Sequence, residues 1–174
     1  MASRAPLSPA RSWWAMFIFM IALMFNYLDR QLMTLLITPI KADFGLSDTQ
    51  IGWLIGFAFT VFYVLAGIPI AQFIDRGPRK WIVASAIAFW SLMTVACGLA
   101  RGYGQLLLAR MLVGVGESCN APGTYSMTSD IFPRDKLAQP ISVIGIGQVA
   151  GSGVALLVGG LLIGWLTEIG RAHV

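Results

Sequence analysis

Five long apolar runs, separated by short polar joints, constrain the fold of this 174-residue chain more than any other feature. The runs lie at about residues 13–38, 49–74, 81–100, 105–129 and 137–166. A run of about 20 apolar residues is long enough to cross a bilayer as a helix. Because lipid offers backbone groups no hydrogen-bond partner, each run must satisfy its own backbone in helical form. The sequence therefore predicts an all-α membrane protein with five transmembrane helices.

Composition supports a membrane protein and excludes several other classes. Hydrophobic residues make up 57% of the chain and charged residues 11%, whereas soluble domains average about 45–50% and 25%. The net charge is +4, and the basic residues lie mostly in the short joints, which favours membrane topology over nucleic-acid binding. Cys97 and Cys119 lie inside apolar runs without metal-ligand neighbours, and the only histidine is His173. We expect a lipid bilayer as partner, and no disulfide, metal, cofactor or nucleic acid.

The distribution of basic residues predicts the orientation of the chain. Residues 1–12 form a tail before the first run. Counted on alternate sides of the membrane, seven lysines and arginines face two. The seven are Arg4, Arg11, Arg76, Arg79, Lys80, Arg134 and Lys136, and the two are Lys41 and Arg101. The positive-inside rule therefore predicts a cytoplasmic amino terminus, and we expect a bacterial inner membrane.

The last residues of the chain break the pattern of apolar spans. Ile169 to Val174 read IGRAHV, just where a sixth helix is expected. A common sequencing-adapter sequence, translated in one frame, encodes Glu168, this hexapeptide and a stop codon. We interpret residues 168–174 as an adapter artefact; the alternative is a natural polar loop. On this interpretation residues 13–167 form five of the six helices of an amino-terminal bundle, which is expected to be inactive alone.

Four ionisable residues lie inside the predicted helices, namely Asp29, Arg30, Arg110 and Glu117. Each costs at least about 2.5–3.5 kcal/mol on insertion into lipid, so such residues normally face a bundle interior or a water-filled path. Asp29 and Arg30 lie about 24 Å into the first helix at 1.5 Å per residue. Arg110 reaches a similar depth from the other side. The sequence thus predicts a charged site near the middle of the membrane.

Helical spacing suggests how the four charges divide their roles. Arg110 and Glu117 are seven residues apart, which places them on one face about 10 Å apart along the axis. Asp29 and Arg30 point about 100° apart, so at most one of them shares a given partner. We interpret Asp29 and Glu117 as proton-titrating carboxylates held by Arg110, with Arg30 pairing with an anionic group of the cargo. The alternative is a static ion-pair network that locks the two helices together.

Asn26 and Tyr27 precede this cluster by one helical turn, and Asn26 shares the face of Arg30. They are candidates for lining the substrate cavity. The alternative for Asn26 is an interhelical hydrogen bond, worth about 0.6–2 kcal/mol.

Local patterns also predict helix geometry. Ser47 and Gln50 match a capping box at the start of the second helix. Pro122 predicts a bend in the fourth helix. Two Gly-x-x-x-Gly patterns in the fifth helix predict close helix packing: Gly147, Gly151, Gly160 and Gly164.

The joint after the second helix carries a recognisable motif. It reads Asp75-Arg76-Gly77-Pro78-Arg79-Lys80. It resembles the Gly-x-x-x-Asp-Arg-x-Gly-Arg-Lys signature of the major facilitator superfamily, but Ala71 and Pro78 replace the two glycines. The resemblance implies that Asp75, Arg76, Arg79 and Lys80 form a conformational latch. It also implies a major facilitator fold, of which this chain would carry the amino-terminal part.

A longer resemblance points to one branch of this superfamily. The run from Asn26 to Arg30, and Arg110 with Gly114, Gly116 and Glu117, look like the spinster-like carriers. The resemblance implies a secondary transporter for a small organic solute, anionic or lysolipid-like, coupled to protons through the charged residues of the first and fourth helices. The Asn26 to Arg30 run is also similar to anion:cation symporters for organic acids, which remains the alternative.

A membrane-embedded enzyme is the alternative from another class. Such an enzyme needs a nucleophile with a base, or metal ligands, at depth. Ser118 and Cys119 have only Glu117 beside them in sequence. We therefore predict that the chain is not an enzyme.

Overall fold

The computed structural model describes the backbone of residues 8–172 and the side chains of residues 8–165. Within this part of the chain the secondary structure is helical throughout. The α-helices are α1 (Pro9–Leu35), α2 (Ile37–Phe44), α3 (Asp48–Gly52), α4 (Ala58–Arg76), α5 (Arg79–Gly98), α6 (Tyr103–Glu117), α7 (Asn120–Ile131) and α8 (Ala138–Ala172). A π-helical turn, Trp53–Phe57, joins α3 to α4, and a 3₁₀ turn, Arg134–Lys136, precedes α8.

Four helices of the described residues are long and apolar enough to cross a membrane. They are Pro9–Leu35, Asp48–Arg76, Arg79–Gly98 and Ala138–Trp165. The first predicted helix differs from α1 at both ends, because α1 begins at Pro9 and ends at Leu35. Beyond it α2 forms a separate short helix that ends at Phe44. It is capped by Gly45, whose φ of 60° is the left-handed conformation that glycine adopts at low cost.

The start of the second span confirms the predicted capping box. The Ser47 backbone N–H donates to Gln50 Oε1 at 2.9 Å, and the Gln50 backbone N–H donates to Ser47 Oγ at 3.3 Å. These bonds satisfy two N–H groups that the first turn of a helix leaves without partners.

The fourth predicted helix is broken in the structure. Instead of one helix over residues 105–129, α6 ends at Glu117 and α7 begins at Asn120. Pro122 accounts for the break, because it has no N–H to donate and its ring clashes with the carbonyl four residues earlier, that of Ser118. The Ser118 hydroxyl turns back and donates to the Val115 carbonyl at 2.7 Å. The bend predicted from Pro122 is therefore present, one turn before the proline.

Helix packing divides the bundle into two groups. In one group α1 packs along α8, and in the other α6 packs between α4 and α5. Gly147 and Gly151 lie directly against the backbone of Met20 and Met24 on α1, so the first predicted glycine seam is confirmed. At Gly160 and Gly164 a Cβ would have no neighbour within 4 Å among the described residues, so the second seam stays a prediction.

The buried apolar residues form separate clusters rather than one core. One cluster surrounds Met16, Leu23 and Ile144, and a second surrounds Met33, Leu54 and Leu106. Many large apolar side chains elsewhere are exposed, as expected for a surface that faces lipid. Between the two clusters, along α1, lie the charged residues Asp29 and Arg30.

Candidate functional site

The structure joins α1 to α6 through a buried ion pair. The Arg110 guanidinium donates from Nη1 to Asp29 Oδ2 at 2.8 Å. The Arg110 side chain is 3% exposed and that of Asp29 is 13% exposed. A charge this deep is stable only when it is paired. The pairing of Asp29 with Arg110 that the sequence suggested is therefore present.

A second ion pair crosses between the same two helices. Arg30 Nε donates to Glu117 Oε2 at 2.8 Å. The prediction that Arg110 holds Glu117 is wrong, because two helical turns separate Arg110 from Glu117 by about 10 Å along α6. Arg110 is occupied by Asp29 instead, and Glu117 meets the neighbouring residue of α1. The 100° angle between Asp29 and Arg30 sends them to different partners, as the spacing indicated.

The two pairs differ in how much of each is exposed. The Glu117 side chain is fully buried, at 0% exposure, whereas Arg30 is 31% exposed. Glu117 Oε1 is buried and has no hydrogen-bond partner among the described residues. Within this pair, only the Arg30 side chain is therefore accessible to a molecule outside the helix bundle. Glu117 depends on Arg30 for its stabilisation.

Three aromatic rings surround the Arg30 guanidinium. Its Cζ lies 4.8 Å from the ring centre of Tyr63, 4.9 Å from that of Phe59 and 5.6 Å from that of Tyr27. Such contacts are worth about 0.5–1 kcal/mol when exposed and about 2 when desolvated. They hold the guanidinium in place without neutralising its charge. Tyr27 thus lies at the site, as predicted.

Phe59 contacts both guanidinium groups, because Arg110 Cζ also lies 4.6 Å from the centre of its ring. Gly114 makes this arrangement possible, since a Cβ there would lie 2.8 Å from the Phe59 carbonyl oxygen. Sequence reasoning missed Phe59 and Tyr63. The available signal was their four-residue spacing, which places both rings on one face of α4. The π turn just before α4 adds a residue to the helix and so sets the direction of that face.

Asn26 is 3% exposed, and its Nδ2 has no hydrogen-bond partner within the described residues. The interhelical bond considered for Asn26 is formed by another residue, Asn120, whose Nδ2 donates to the Ala22 carbonyl at 3.4 Å. Asn120 also accepts from the Thr124 hydroxyl at 3.4 Å. The sequence did not predict this buried pair on α7, because asparagine and threonine residues near a proline indicate only that a helix is interrupted.

The joint between α4 and α5 uses a partner that the sequence did not indicate. Arg79 forms an ion pair with Asp130 at the end of α7 and donates from Nε to the Ile74 carbonyl at 3.3 Å. Lys80 lies over the ring of Trp81 at 5.6 Å. Among the described residues, Asp75 takes part in no ion pair. In this conformation Arg79 is thus paired with Asp130, because it lies at the start of α5 beside α7. The latch implied for Asp75, Arg76, Arg79 and Lys80 stays a prediction.

The remaining joint residue, Arg76, is exposed at the end of α4. Within the described part of the chain, no three His, Cys, Asp or Glu residues are grouped as metal ligands would be. Of the basic residues that predict the orientation, the structure describes Arg11 and those that follow it. Arg4 and His173 lie outside the described residues, as do the side chains of residues 168–174.

Comparison with known proteins identifies the family of this chain. Residues 19–168 match the sequence profile of the Major Facilitator Superfamily. The chain is 36% identical to an MFS-type efflux pump of Mycolicibacterium smegmatis, over 91% of this chain and 38% of that protein. It is 28% identical to the "Probable L-galactonate transporter" of Escherichia coli, over 87% of this chain and 34% of that protein.

A solved structure is similar over nearly the whole chain. It is that of a bacterial homolog of the human lysosomal transporter spinster, in an inward-facing and occupied conformation. It aligns with a TM-score of 0.85 and 37% identity, over 94% of this chain and 37% of that chain. This chain belongs to the major facilitator superfamily of membrane transporters, and its resemblance to the spinster-like branch is confirmed. The prediction that it is not an enzyme is confirmed by that family. The chain spans about 38% of the length of the efflux pump it matches.

Proposed function

We propose that this chain is part of a proton-coupled secondary carrier for a small organic solute that bears a negative charge. The Arg30–Glu117 pair carries the proposal. It joins a partly exposed guanidinium to a fully buried carboxylate. One member is therefore suited to meet a solute, and the other is unsuited to remain charged without its partner.

The coupling step follows from competition for Arg30. A phosphate or carboxylate group of the cargo can accept two parallel hydrogen bonds from a guanidinium, which makes it a strong competitor for a carboxylate held through a single bond. Once displaced, Glu117 is a buried charge without a partner, and taking up a proton relieves that cost. Binding of the anion and binding of the proton then share one coupling free energy.

Asp29 is the second proposed proton site, with Arg110 as its permanent partner. Both side chains are almost fully buried, so this pair is suited to hold α1 against α6 while the solute exchanges at Arg30. Asn26 and Tyr27 are proposed to line the substrate cavity on the side of α1 that carries Arg30. A static network that only locks the helices together is the competing interpretation.

Two classes of solute are proposed, and both carry an anionic group. The resemblance of the Asn26 to Arg30 run to spinster-like carriers favours a lysolipid-like amphiphile. Similarity to the "Probable L-galactonate transporter" supports transport of an organic acid, which agrees with the alternative of an anion:cation symporter. Uptake of radiolabelled lysophosphatidic acid and of radiolabelled galactonate, measured side by side, distinguishes the two chemistries.

The proposal extends to the surroundings of the site. We propose that the tail and the Asp75 to Lys80 joint lie in the cytoplasm, and that the membrane is a bacterial inner membrane. The joint, including Arg76, acts as a latch that favours one conformation through the Arg79–Asp130 contact. The transport path is completed by a carboxy-terminal half, since each relative is about 2.5 to 3 times the length matched here.

The decisive experiment measures uptake into proteoliposomes by a protein that includes the carboxy-terminal half. We expect Asp29→Asn and Glu117→Gln to abolish accumulation driven by a pH gradient while equilibrium exchange of labelled solute persists in part. Arg30→Ala should weaken binding of the anionic solute itself. Phe62→Leu, which changes an exposed apolar side chain of α4, serves as the matched control. If both carboxamide variants still concentrate solute at the parental level, the charges are structural and proton coupling fails.

A further inference from the structure

A cavity of about 400 Å³ lies between the end of α1, α2, the end of α5 and the start of α6. Its rim includes the exposed residues Leu36 and Asp43. Its floor includes Asp29 and the buried Arg110. The break between α1 and α2 at Leu36 leaves room for it. Arg30 and Glu117 do not line this cavity, so the two ion pairs have different surroundings.

Two residues that line this cavity each carry a polar atom without a partner. Arg110 Nε and Thr94 Oγ1 are both buried, and neither forms a hydrogen bond within the described residues. Leaving a buried donor or acceptor unpaired costs about 1–3 kcal/mol. A water molecule needs two to four polar partners and little space. The Asp29 carboxylate, which lines the cavity and is 13% exposed, offers water such a partner, whereas Arg110 Nε and Thr94 Oγ1 are buried below the cavity surface.

The apolar lining alone would favour a dry cavity or a hydrocarbon chain. A hydrocarbon chain, however, would leave the exposed part of the Asp29 carboxylate without a polar neighbour, whereas water hydrates it. We propose that this cavity is a water-filled path that connects the Asp29–Arg110 pair to the aqueous surface at the α2 end of the bundle. Its use for proton exchange with Asp29 rests on the function proposed above, whereas its hydration does not.

The chain carries natural reporters for this test. Cys97 lines the cavity and is partly buried. Cys119 is buried in a different pocket that has no ionisable side chain. A charged methanethiosulfonate reagent reacts with thiolates that contact water. In protein reconstituted into bilayers, labelled peptides are quantified by mass spectrometry, which assigns each modification to its own cysteine.

We expect the charged reagent to label Cys97 at least about tenfold faster than Cys119, because only Cys97 is placed on a hydrated wall. Ile40→Trp, which fills the cavity, should slow labelling of Cys97 by a similar factor. Ile68→Trp, on an exposed face of α4, should leave it unchanged. Equal slow labelling of both cysteines overturns the proposal. So does labelling of Cys97 by an uncharged apolar maleimide alone, which indicates a hydrocarbon-filled cavity.

Hydroxyl-radical footprinting gives a second measurement that requires no substitution. Radicals formed from water inside the protein oxidise adjacent methionines. Met33 lines the cavity and is 8% exposed, whereas Met16, on the same helix, is 0% exposed and packs in an apolar cluster. Preferential oxidation of Met33 supports the water-filled path, and equal protection of both methionines contradicts it. Both measurements work without transport, so a failure of proton coupling would leave their result interpretable.

Discussion

Removing Arg30 and removing Glu117 should destabilise the protein by different amounts. Replacing Arg30 by Met keeps much of the side-chain volume but leaves Glu117, which is fully buried, without its ion-pair partner. Removing one member of a buried pair typically costs about 3–5 kcal/mol, because an uncompensated charge stays behind. We therefore expect Arg30→Met to destabilise the protein strongly.

The reverse change leaves a different residue behind. In Glu117→Gln the remaining charge is Arg30, which is 31% exposed and contacts three aromatic rings. Water and these rings continue to stabilise the guanidinium, so the cost should be only about 1–2 kcal/mol, that of a lost charged hydrogen bond. The double variant removes the stranded charge and should be more stable than Arg30→Met alone. The expected coupling energy is therefore about 2–3 kcal/mol.

Thermal unfolding of the purified protein in detergent, followed by loss of the monodisperse peak, measures all four members of this double-mutant cycle. Phe25→Leu, which alters an exposed side chain of α1, controls for general effects of substitution. Additive effects of the two changes would contradict the pairing. A Glu117→Gln variant less stable than Arg30→Met would refute the argument from exposure.

Three further predictions follow from individual contacts. Asp130→Asn should shift the ratio of inward- to outward-open populations, because Arg79 loses its charged partner; inter-spin distances between helix ends measure this, and unchanged distances contradict a latch. Gly151→Ala should destabilise the protein by about 1–3 kcal/mol through overpacking against α1. Gly153→Ala, which meets no neighbour, should be neutral or stabilising by up to about 1 kcal/mol in the same unfolding assay. Phe59→Leu should cost about 1–2 kcal/mol beyond its lost apolar area, because two cation–π contacts disappear; a cost no greater than that of lost area contradicts the role of the ring.

The charged residues of the site could be predicted from the sequence because burying a charge in lipid is costly. That rule identified Asp29, Arg30, Arg110 and Glu117, which the structure brings together as two ion pairs. Helical geometry also predicted that adjacent residues on α1 reach different partners. The pairing itself was predicted only in part, because spacing along one helix does not specify which residue of a neighbouring helix lies opposite.

Other parts of the site gave weaker signals. Phe59 and Tyr63 resemble any lipid-facing aromatic residues until the position of α4 against α6 is known. That position depends on Gly114 and on the π turn, and no periodic pattern marks a π turn. Asp130 lies 51 residues from Arg79, so the local charge pattern of the joint did not indicate it as a partner. Contacts between distant helices therefore account for most of what the sequence did not predict.

Exchanging each arginine for lysine separates the proposed roles of the two ion pairs. Lysine keeps the positive charge but loses the planar guanidinium, its several donors and its stacking on aromatic rings. At position 110 the side chain is 3% exposed and contacts both Asp29 and Phe59, so Arg110→Lys should destabilise the fold by about 2–4 kcal/mol, the range for a disrupted buried network.

At position 30 partial exposure lets a lysine ammonium remain hydrated while it still faces Glu117. Arg30→Lys should therefore cost less than about 1.5 kcal/mol in stability, yet weaken binding of an anionic solute about tenfold or more, because the two parallel hydrogen bonds are lost. Thermal unfolding with and without solute measures both quantities for each variant. If Arg110→Lys weakens solute binding while Arg30→Lys leaves it unchanged, then Arg110 is the residue that meets the solute and the roles assigned to the two pairs are reversed.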